Sequence, residues 1–139
     1  MESSFYISTD KSKLDLKLIH NFLSNDSYWA KGRTIETVRK SIDNALCFGV
    51  FNGEKQVGFA RIVTDYAVFA WILDVFILSN YRKNGLGKML MDSIMNHGEL
   101  QRLQRWGLAT DDAHGLYQQY GFQIVKRPET FMERVAKPS

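Results

Sequence analysis

The sequence predicts an α/β domain with one mixed sheet, antiparallel in its early strands and partly parallel in its late ones. Three observations predict it. Two apolar, β-rich runs, Leu46 to Phe51 and Gln56 to Thr64, flank an Asn52-Gly53 turn signal, which reads as a hairpin. A further strand-like run, Ala67 to Leu78, is followed by a glycine-bearing turn and a helical repeat. From there on, strand patterns alternate with helix patterns, as parallel pairing requires. The chain has 139 residues, which predicts one domain over residues 1–139.

The elements follow in order. Phe5-Tyr6-Ile7 is a short strand candidate. Leu14, Leu18 and Phe22 recur every four residues beside Ile19 and Leu23, an amphipathic helix with Ser12 as its expected N-cap. Residues 24–33 are turn-rich and carry Tyr28 and Trp29. Thr34 starts a second helix to about Asn44, with Ile35, Val38 and Ile42 on one face. After the hairpin, Ala67 to Leu78 reads as a strand buried on both faces, because its residues are aromatic and β-branched. Leu86 to about His97 is a helix with Leu90, Ile94 and Met89, Met91 and Met95 at apolar positions. Trp106 to Thr110 is a short strand. Asp111 to Tyr120 is a short helix with Asp111 and Asp112 as caps and Gly121 at its C-terminal end. Phe122 to Val125 and Phe131 to Val135 complete the set as final strands.

Composition narrows the function. Eighteen Lys+Arg against fifteen Asp+Glu give +3, and the excess is spread over both halves of the chain. That balance permits an anionic ligand without marking a nucleic-acid surface. The lone Cys47 excludes an intramolecular disulfide and a cysteine-rich zinc site, and His20 and His97 share no metal-ligand spacing, so no metal is expected. The start has neither a basic nor an apolar leader region, and no run is long enough to span a bilayer. A soluble cytoplasmic protein is expected.

The chemistry concentrates in Asp74-Val-Phe-Ile-Leu-Ser-Asn-Tyr-Arg-Lys-Asn-Gly-Leu-Gly-Lys88. A strand runs into a turn with Gly85 and Gly87, and a helix begins. The first turn of a helix carries unpartnered N–H groups and the positive end of its dipole. Glycines let an anion approach the backbone, and Arg82, Lys83 and Lys88 add charge. The segment is neither a Walker A loop, since Met89 follows Lys88, nor a dinucleotide fingerprint, since Leu90 stands at the third glycine.

With a second segment, Leu116-Tyr117-Gln-Gln-Tyr120-Gly121-Phe122, the sequence resembles the GNAT N-acetyltransferase superfamily. Arg82-Lys-Asn-Gly85-Leu-Gly87 matches its acyl-CoA motif, and Leu116-Tyr117…Gly121-Phe122 matches its helix-to-strand motif. The element order agrees over residues 5–135. The resemblance implies a GNAT-like sheet whose strand before the glycine turn splays from its parallel neighbour, with helices on its flanks. Val75 and Ile77 would pair with the pantetheine arm of acetyl-CoA. The turn Arg82, Lys83, Asn84, Gly85, Leu86, Gly87 and Lys88 would hold the pyrophosphate. Tyr117 stands at the position of the usual proton donor to the departing thiolate. The glutamate that some members carry as a base falls on Trp71 here. Asp74 is then the nearest acidic residue, facing substrate or held in an ion pair, because a buried carboxylate needs a partner.

The acceptor would be a primary amine of a small molecule or a protein, attacking the thioester directly in a ternary complex. Tyr28, Trp29 and Arg33, between the first two helices, suit an acceptor with an apolar or aromatic portion and a carboxylate; equally, they suit a staple that pins the loop. Phe131 and Met132 either line the same groove or close the core. The alternative to an enzyme is a non-catalytic acyl-CoA-binding regulatory module, kept open by the missing consensus base. Neither a nucleic-acid nor a membrane partner is expected. Sheet edges near the C-terminus leave a homodimer open.

Overall fold

The computed structural model describes residues 4–136. Its strands are β1 (Phe5–Ser8), β2 (Leu46–Asn52), β3 (Lys55–Thr64), β4 (Phe69–Ile77) and β5 (Arg105–Leu108). They form one sheet in chain order, antiparallel from β1 to β4, with β4 and β5 parallel. The helices are α1 (Leu16–Asn21), α2 (Ile35–Asp43), α3 (Leu86–Met95) and α4 (His114–Gln118). The mixed sheet flanked by helices is therefore the predicted one.

Two apolar layers cover the sheet. On one face Leu86, Leu90, Met91 and Ile94 of α3 pack on Phe48, Ile62 and Ile72. On the other, Ile19 and Leu23 with Val38 and Ile42 of α2 pack on Phe59 and Phe76. Phe22 stacks on Phe76 with ring centroids 4.1 Å apart and planes 11° from parallel. The end of α1 widens into a π turn, closed by the Ser27 N–H on the Phe22 carbonyl at 3.0 Å. The Ser27 hydroxyl donates to the Leu23 carbonyl at 2.6 Å and accepts from the Ala30 N–H at 3.1 Å. This turn aims the loop that follows toward β4.

Several local expectations are corrected. Asp15, not Ser12, caps α1 by accepting from the Leu18 N–H at 3.1 Å; Asp10 takes the Ser12 N–H and caps a preceding 3-10 turn. The hairpin loop is Gly53-Glu54, one residue later than expected, with Gly53 at φ +61°. β4 starts at Phe69, because the exposed Asp65 carboxylate accepts from the N–H groups of Ala67, Val68 and Phe69 and makes that stretch a turn. Those backbone donors hold the Asp65 carboxyl below its ordinary pKa. Along β4 buried and half-buried residues alternate, and both faces are covered: Ile72, with the half-buried Val75 and Ile77, packs in the α3 layer and Phe76 in the α1–α2 layer.

The C-terminal region departs furthest. Asp111 and Asp112 do not cap α4. The helix starts at His114, and the Thr110 Oγ1 accepts from the Ala113 N–H at 3.1 Å. Gly121 ends the helical segment at φ +89°, as expected. The expected strands at 122–125 and 131–135 do not form; that stretch has only a 3-10 turn at Pro128–Thr130. Apolar alternation is a sufficient local signal for a strand, but a strand also needs an edge to pair with.

Candidate acyl-transfer site

β4 changes character half-way along. Its pairing to β5 runs from Phe69↔Arg105 to Ile72↔Leu108 and stops. On its other edge, Arg61↔Leu73 is followed by Phe59↔Phe76, so two residues of β4, Asp74 and Val75, oppose the single residue Ala60. This is a β-bulge, and Asp74 lies in the left-handed region at φ +54°. The bulge flips the side-chain parity. Ile72 packs in the α3 layer and Phe76 in the α1–α2 layer, although residues four apart in a regular strand share a face. Beyond the bulge, the Leu78 N–H bonds the Val57 carbonyl at 2.8 Å. Antiparallel ladders use alternate residues, so Ile77, between Phe76 and Leu78, turns its backbone groups away from β3, while Val75 lies in the bulge and lines the gap.

That gap is a cleft of about 250 Å³ lined by Leu73, Asp74 and Val75 on one side and by Leu108 to Ala113 on the other. Tyr28, Trp29, Trp71 and Tyr117 complete it. The Tyr28 hydroxyl accepts from the Asp111 N–H at 3.0 Å and so bridges the loop to the end of β5. Tyr28 and Trp29 meet edge to face, with centroids 5.0 Å apart.

The Asp74 side chain is 2% exposed and fully engaged. Its Oδ2 accepts from Arg33 Nη1 and from Arg61 Nε, each at 2.9 Å, and its Oδ1 accepts from Trp29 Nε1 at 2.9 Å. One carboxylate thus meets two guanidinium groups, which compensates its burial and holds a backbone conformation that costs about 1 kcal/mol or more for a non-glycine residue. Of the two roles open to Asp74, these contacts fit the ion pair. They also account for the loop. Trp29 and Arg33 are tied down by the bulge, and Arg33 lies outside the cleft lining while Tyr28 and Trp29 belong to it. Sequence reasoning missed Arg61. The available signal was a charge inside each of two adjacent apolar strands, Arg61 and Asp74, with opposite sign.

Tyr117 is 7% exposed and meets Phe122 edge to face at 6.1 Å. Among the described residues its hydroxyl makes no hydrogen bond, and the side chain lines the cleft. Burial, reinforced by the nearby Tyr28 and Asp112, pushes its pKa up to about 12, so the phenol keeps its proton across the neutral range. Trp71, where the resemblance would place a base, lies over β5. A Cβ on Gly107 would overlap its ring, which explains the glycine there.

The glycine turn follows β4 in the chain and faces α4, where Gly87 lies beside Leu116, the neighbour of Tyr117. Gly85 is the N-cap of α3 at φ +73°, and no side chain caps the helix. Lys83 also has positive φ, +70°. The Met89 N–H is the first satisfied by the helix, from the Gly85 carbonyl at 3.0 Å, leaving the N–H groups of Leu86, Gly87 and Lys88 without an intrahelical partner. A Cβ on Gly87 would touch only Leu116, at an ordinary 3.5 Å, so the protein's own packing does not require glycine there. Arg82 and Asn84 bind the turn itself. Arg82 Nε donates to the Ile77 carbonyl at 3.0 Å, and Asn84 Nδ2 to the Tyr81 carbonyl at 2.9 Å. Lys83 and Lys88 make no ion pair among the described residues, and no cluster of three or more metal-ligating side chains occurs among them.

Comparison with known proteins bears on the fold and the family. A crystal structure from Xanthomonas campestris pv. campestris, described as a candidate acetyltransferase of the GNAT family, is 49% identical, superposes with a TM-score of 0.92, and covers 95% of this chain and 93% of its own. An uncharacterised N-acetyltransferase of Prochlorococcus marinus is 30% identical, over 86% of this chain and 68% of its own length. A structure from Clostridium acetobutylicum, described as a candidate acetyltransferase with acetyl-CoA, shares the fold at TM-score 0.70 and 15% identity, covering 96% of each chain. The model of the acetyltransferase (GNAT) family matches residues 16–122, and the chain belongs to that family of transferase enzymes.

Proposed function

We propose that the chain transfers an acetyl group from acetyl-CoA to a primary amine by direct attack in a ternary complex. One observation carries this reading: β4 loses its β5 partner after Ile72, beside a cleft that Tyr117 lines, and the chain runs on from β4 into the uncapped N-terminus of α3. An edge inside a sheet is costly unless something fills its hydrogen bonds, and a chain of amides does so. Val75 would offer its N–H and carbonyl to the pantetheine arm. Ile77 would offer its N–H alone, because its carbonyl is held by Arg82. The N–H groups of Gly85, Leu86, Gly87 and Lys88 would receive the pyrophosphate, with Lys83 and Lys88 supplying charge. Arg82 and Asn84 would act by shaping that turn.

Bound there, the coenzyme supplies an activated acyl group. Tyr117 would hydrogen-bond the departing thiolate and give it a proton, a role that its free hydroxyl supports, while the raised pKa keeps the phenol protonated at neutral pH. Asp74 would serve as a positioning residue that holds the bulge, Trp29 and Arg33. With both its oxygens engaged, proton removal from the amine would pass through water. Tyr28 and Trp29 would bind the acceptor, favouring an amine with an apolar or aromatic body. A cytoplasmic location and a single domain over the whole chain go with this reading.

Calorimetric titration with acetyl-CoA, followed by thiol release in the presence of an amine panel, tests the proposal. Tyr117→Phe is expected to lower kcat about 100-fold, with coenzyme affinity changed less than about 3-fold. An unchanged rate would remove Tyr117 from the mechanism. Tight binding with no thiol release from any amine would favour the regulatory acyl-CoA-binding module.

A further inference from the structure

The Asp74 cluster holds more positive charge than its carboxylate balances. One carboxylate meets two guanidinium groups, and neither Arg33 nor Arg61 makes another ion pair among the described residues. Arg61 binds Asp74 side-on, through Nε at 2.9 Å. Its two Nη groups donate to no protein atom among the described residues. No sealed side-chain nitrogen among those residues lacks a partner, so both Nη groups reach solvent. The Arg61 side chain is nevertheless only 13% exposed. A guanidinium fixed at one edge, largely desolvated and open at its end, is a receptor for a planar anion, because the free Nη pair matches the two oxygens of a carboxylate.

The sheet links this fork to the cleft. Across the β3–β4 ladder Arg61 opposes Leu73 and Val63 opposes Trp71, and directly opposed residues share a face. Leu73 and Trp71 line the cleft, so its floor continues onto β3. Val63 is 38% exposed, so the helices of this face leave its end open. On the other side of the cleft stand Asp111 and Asp112, which make no ion pair among the described residues. We propose that the acceptor is a zwitterion, with its amine in the cleft at Tyr117, its methylene chain on Leu73 and Trp71, and its carboxylate on the Nη pair of Arg61 beside Arg33. The two ends of such a molecule carry opposite charge and so do the two rims, which fixes its orientation. One strand spacing, about 5 Å, separates β4 from β3. That span is too long for an α-amino acid, whose amine and carboxylate share one carbon, and suits an ω-amino acid. The amine end rests on the acyl-transfer reading; the carboxylate end stands on the Arg61 geometry.

An NMR titration of the full chain with coenzyme A present tests the carboxylate end without turnover. The probes are γ-aminobutyrate, δ-aminovalerate and ε-aminocaproate, each against its neutral primary amide. At one or more of these lengths the carboxylate is expected to bind at least about 10-fold more tightly than its amide. Its binding should also shift the Arg61 Nε–H and the Trp29 indole N–H, which share Asp74. No binding, equal affinities at every length, or binding that leaves both resonances unmoved would overturn the proposal. Arg61→Lys keeps a charge for Asp74 but loses the fork, and should cut the preference to less than about 3-fold while the amide binds as before. An undiminished preference in that variant places the carboxylate elsewhere, and the proposal fails. The comparison of carboxylate with amide in the unaltered chain does not depend on the variant folding. Thiol release from acetyl-CoA with the same compounds separates the two readings. A carboxylate preference in binding with no release from any amine would remove acyl transfer and keep the anion site. Release with equal kcat/KM for carboxylate and amide would keep acyl transfer and remove the zwitterion.

Discussion

Two segments are anchored on β4, and they treat their polar groups in opposite ways. The loop from Ser27 to Arg33 is satisfied internally: Ser27 on Leu23 and Ala30, Trp29 and Arg33 on Asp74, Tyr28 on Asp111. The turn from Arg82 to Lys88 uses Arg82 and Asn84 to brace itself and leaves the first N–H groups of α3 without helical partners. The first segment is built like a core, with a buried carboxylate paired to two guanidinium groups and hydrogen-bonded by Trp29. The second is built like a receptor, with donors oriented but unmatched. A fold uses its hydrogen bonds for rigidity where shape must be kept, and leaves them open where a ligand is to supply the other half.

Substitutions on either side should therefore fail differently. The largest effect is expected from Gly87→Glu. A side chain there meets only Leu116 at an ordinary distance, so the fold should survive, while coenzyme affinity should fall more than about 100-fold by calorimetry. A loss of stability with affinity retained would reverse the contrast. Next is Asp74→Asn, which keeps a residue tolerant of the left-handed backbone but leaves Arg33 and Arg61 without their counter-charge. Urea unfolding should show a loss of about 3 kcal/mol, with coenzyme affinity much less affected in the folded fraction.

Gly107→Ala should cost about 1–3 kcal/mol by driving the Trp71 ring off β5, and Trp71→Ala in the same chain should recover part of it, a coupling readable in a double-mutant cycle. The smallest effect belongs to pH. The native state holds the Tyr117 proton to about 12, whereas an unfolded tyrosine releases it near the ordinary value of about 10. In that interval the native state binds more protons, so stability falls as pH rises, while below the unfolded value the contribution is complete and flat. Thermal melts of Tyr117→Phe should show a weaker alkaline decline between about pH 10 and 12 than the unaltered chain.

Much of the molecule was readable from local pattern. Helix periodicity, the Gly53 hairpin, the Gly85-Leu-Gly87 turn and the Gly121 stop each depend on residues within a few positions of one another. Their conformational reasons, positive φ or an uncapped first turn, are present in the residues themselves. The motif around Tyr117 was legible for the same reason. The capping errors at Ser12, Asp111 and Asp112 came from equally local competition: several short polar side chains stood within reach of the same N–H groups, and small differences in approach decided among them.

What the tertiary structure alone decided concerns groups far apart in the chain. Periodicity could not show that β4 gains a residue at Asp74, because a bulge is defined against the partner strand and shifts parity without altering composition. It could not gather Trp29, Arg33 and Arg61 around one carboxylate, since that requires the α1–α2 loop, β3 and β4 to be placed together. Nor could it show that two apolar segments after Gly121 would stay unpaired. Side-chain pattern states which face of a strand wants burial; only the assembled sheet determines whether an edge is there to receive it.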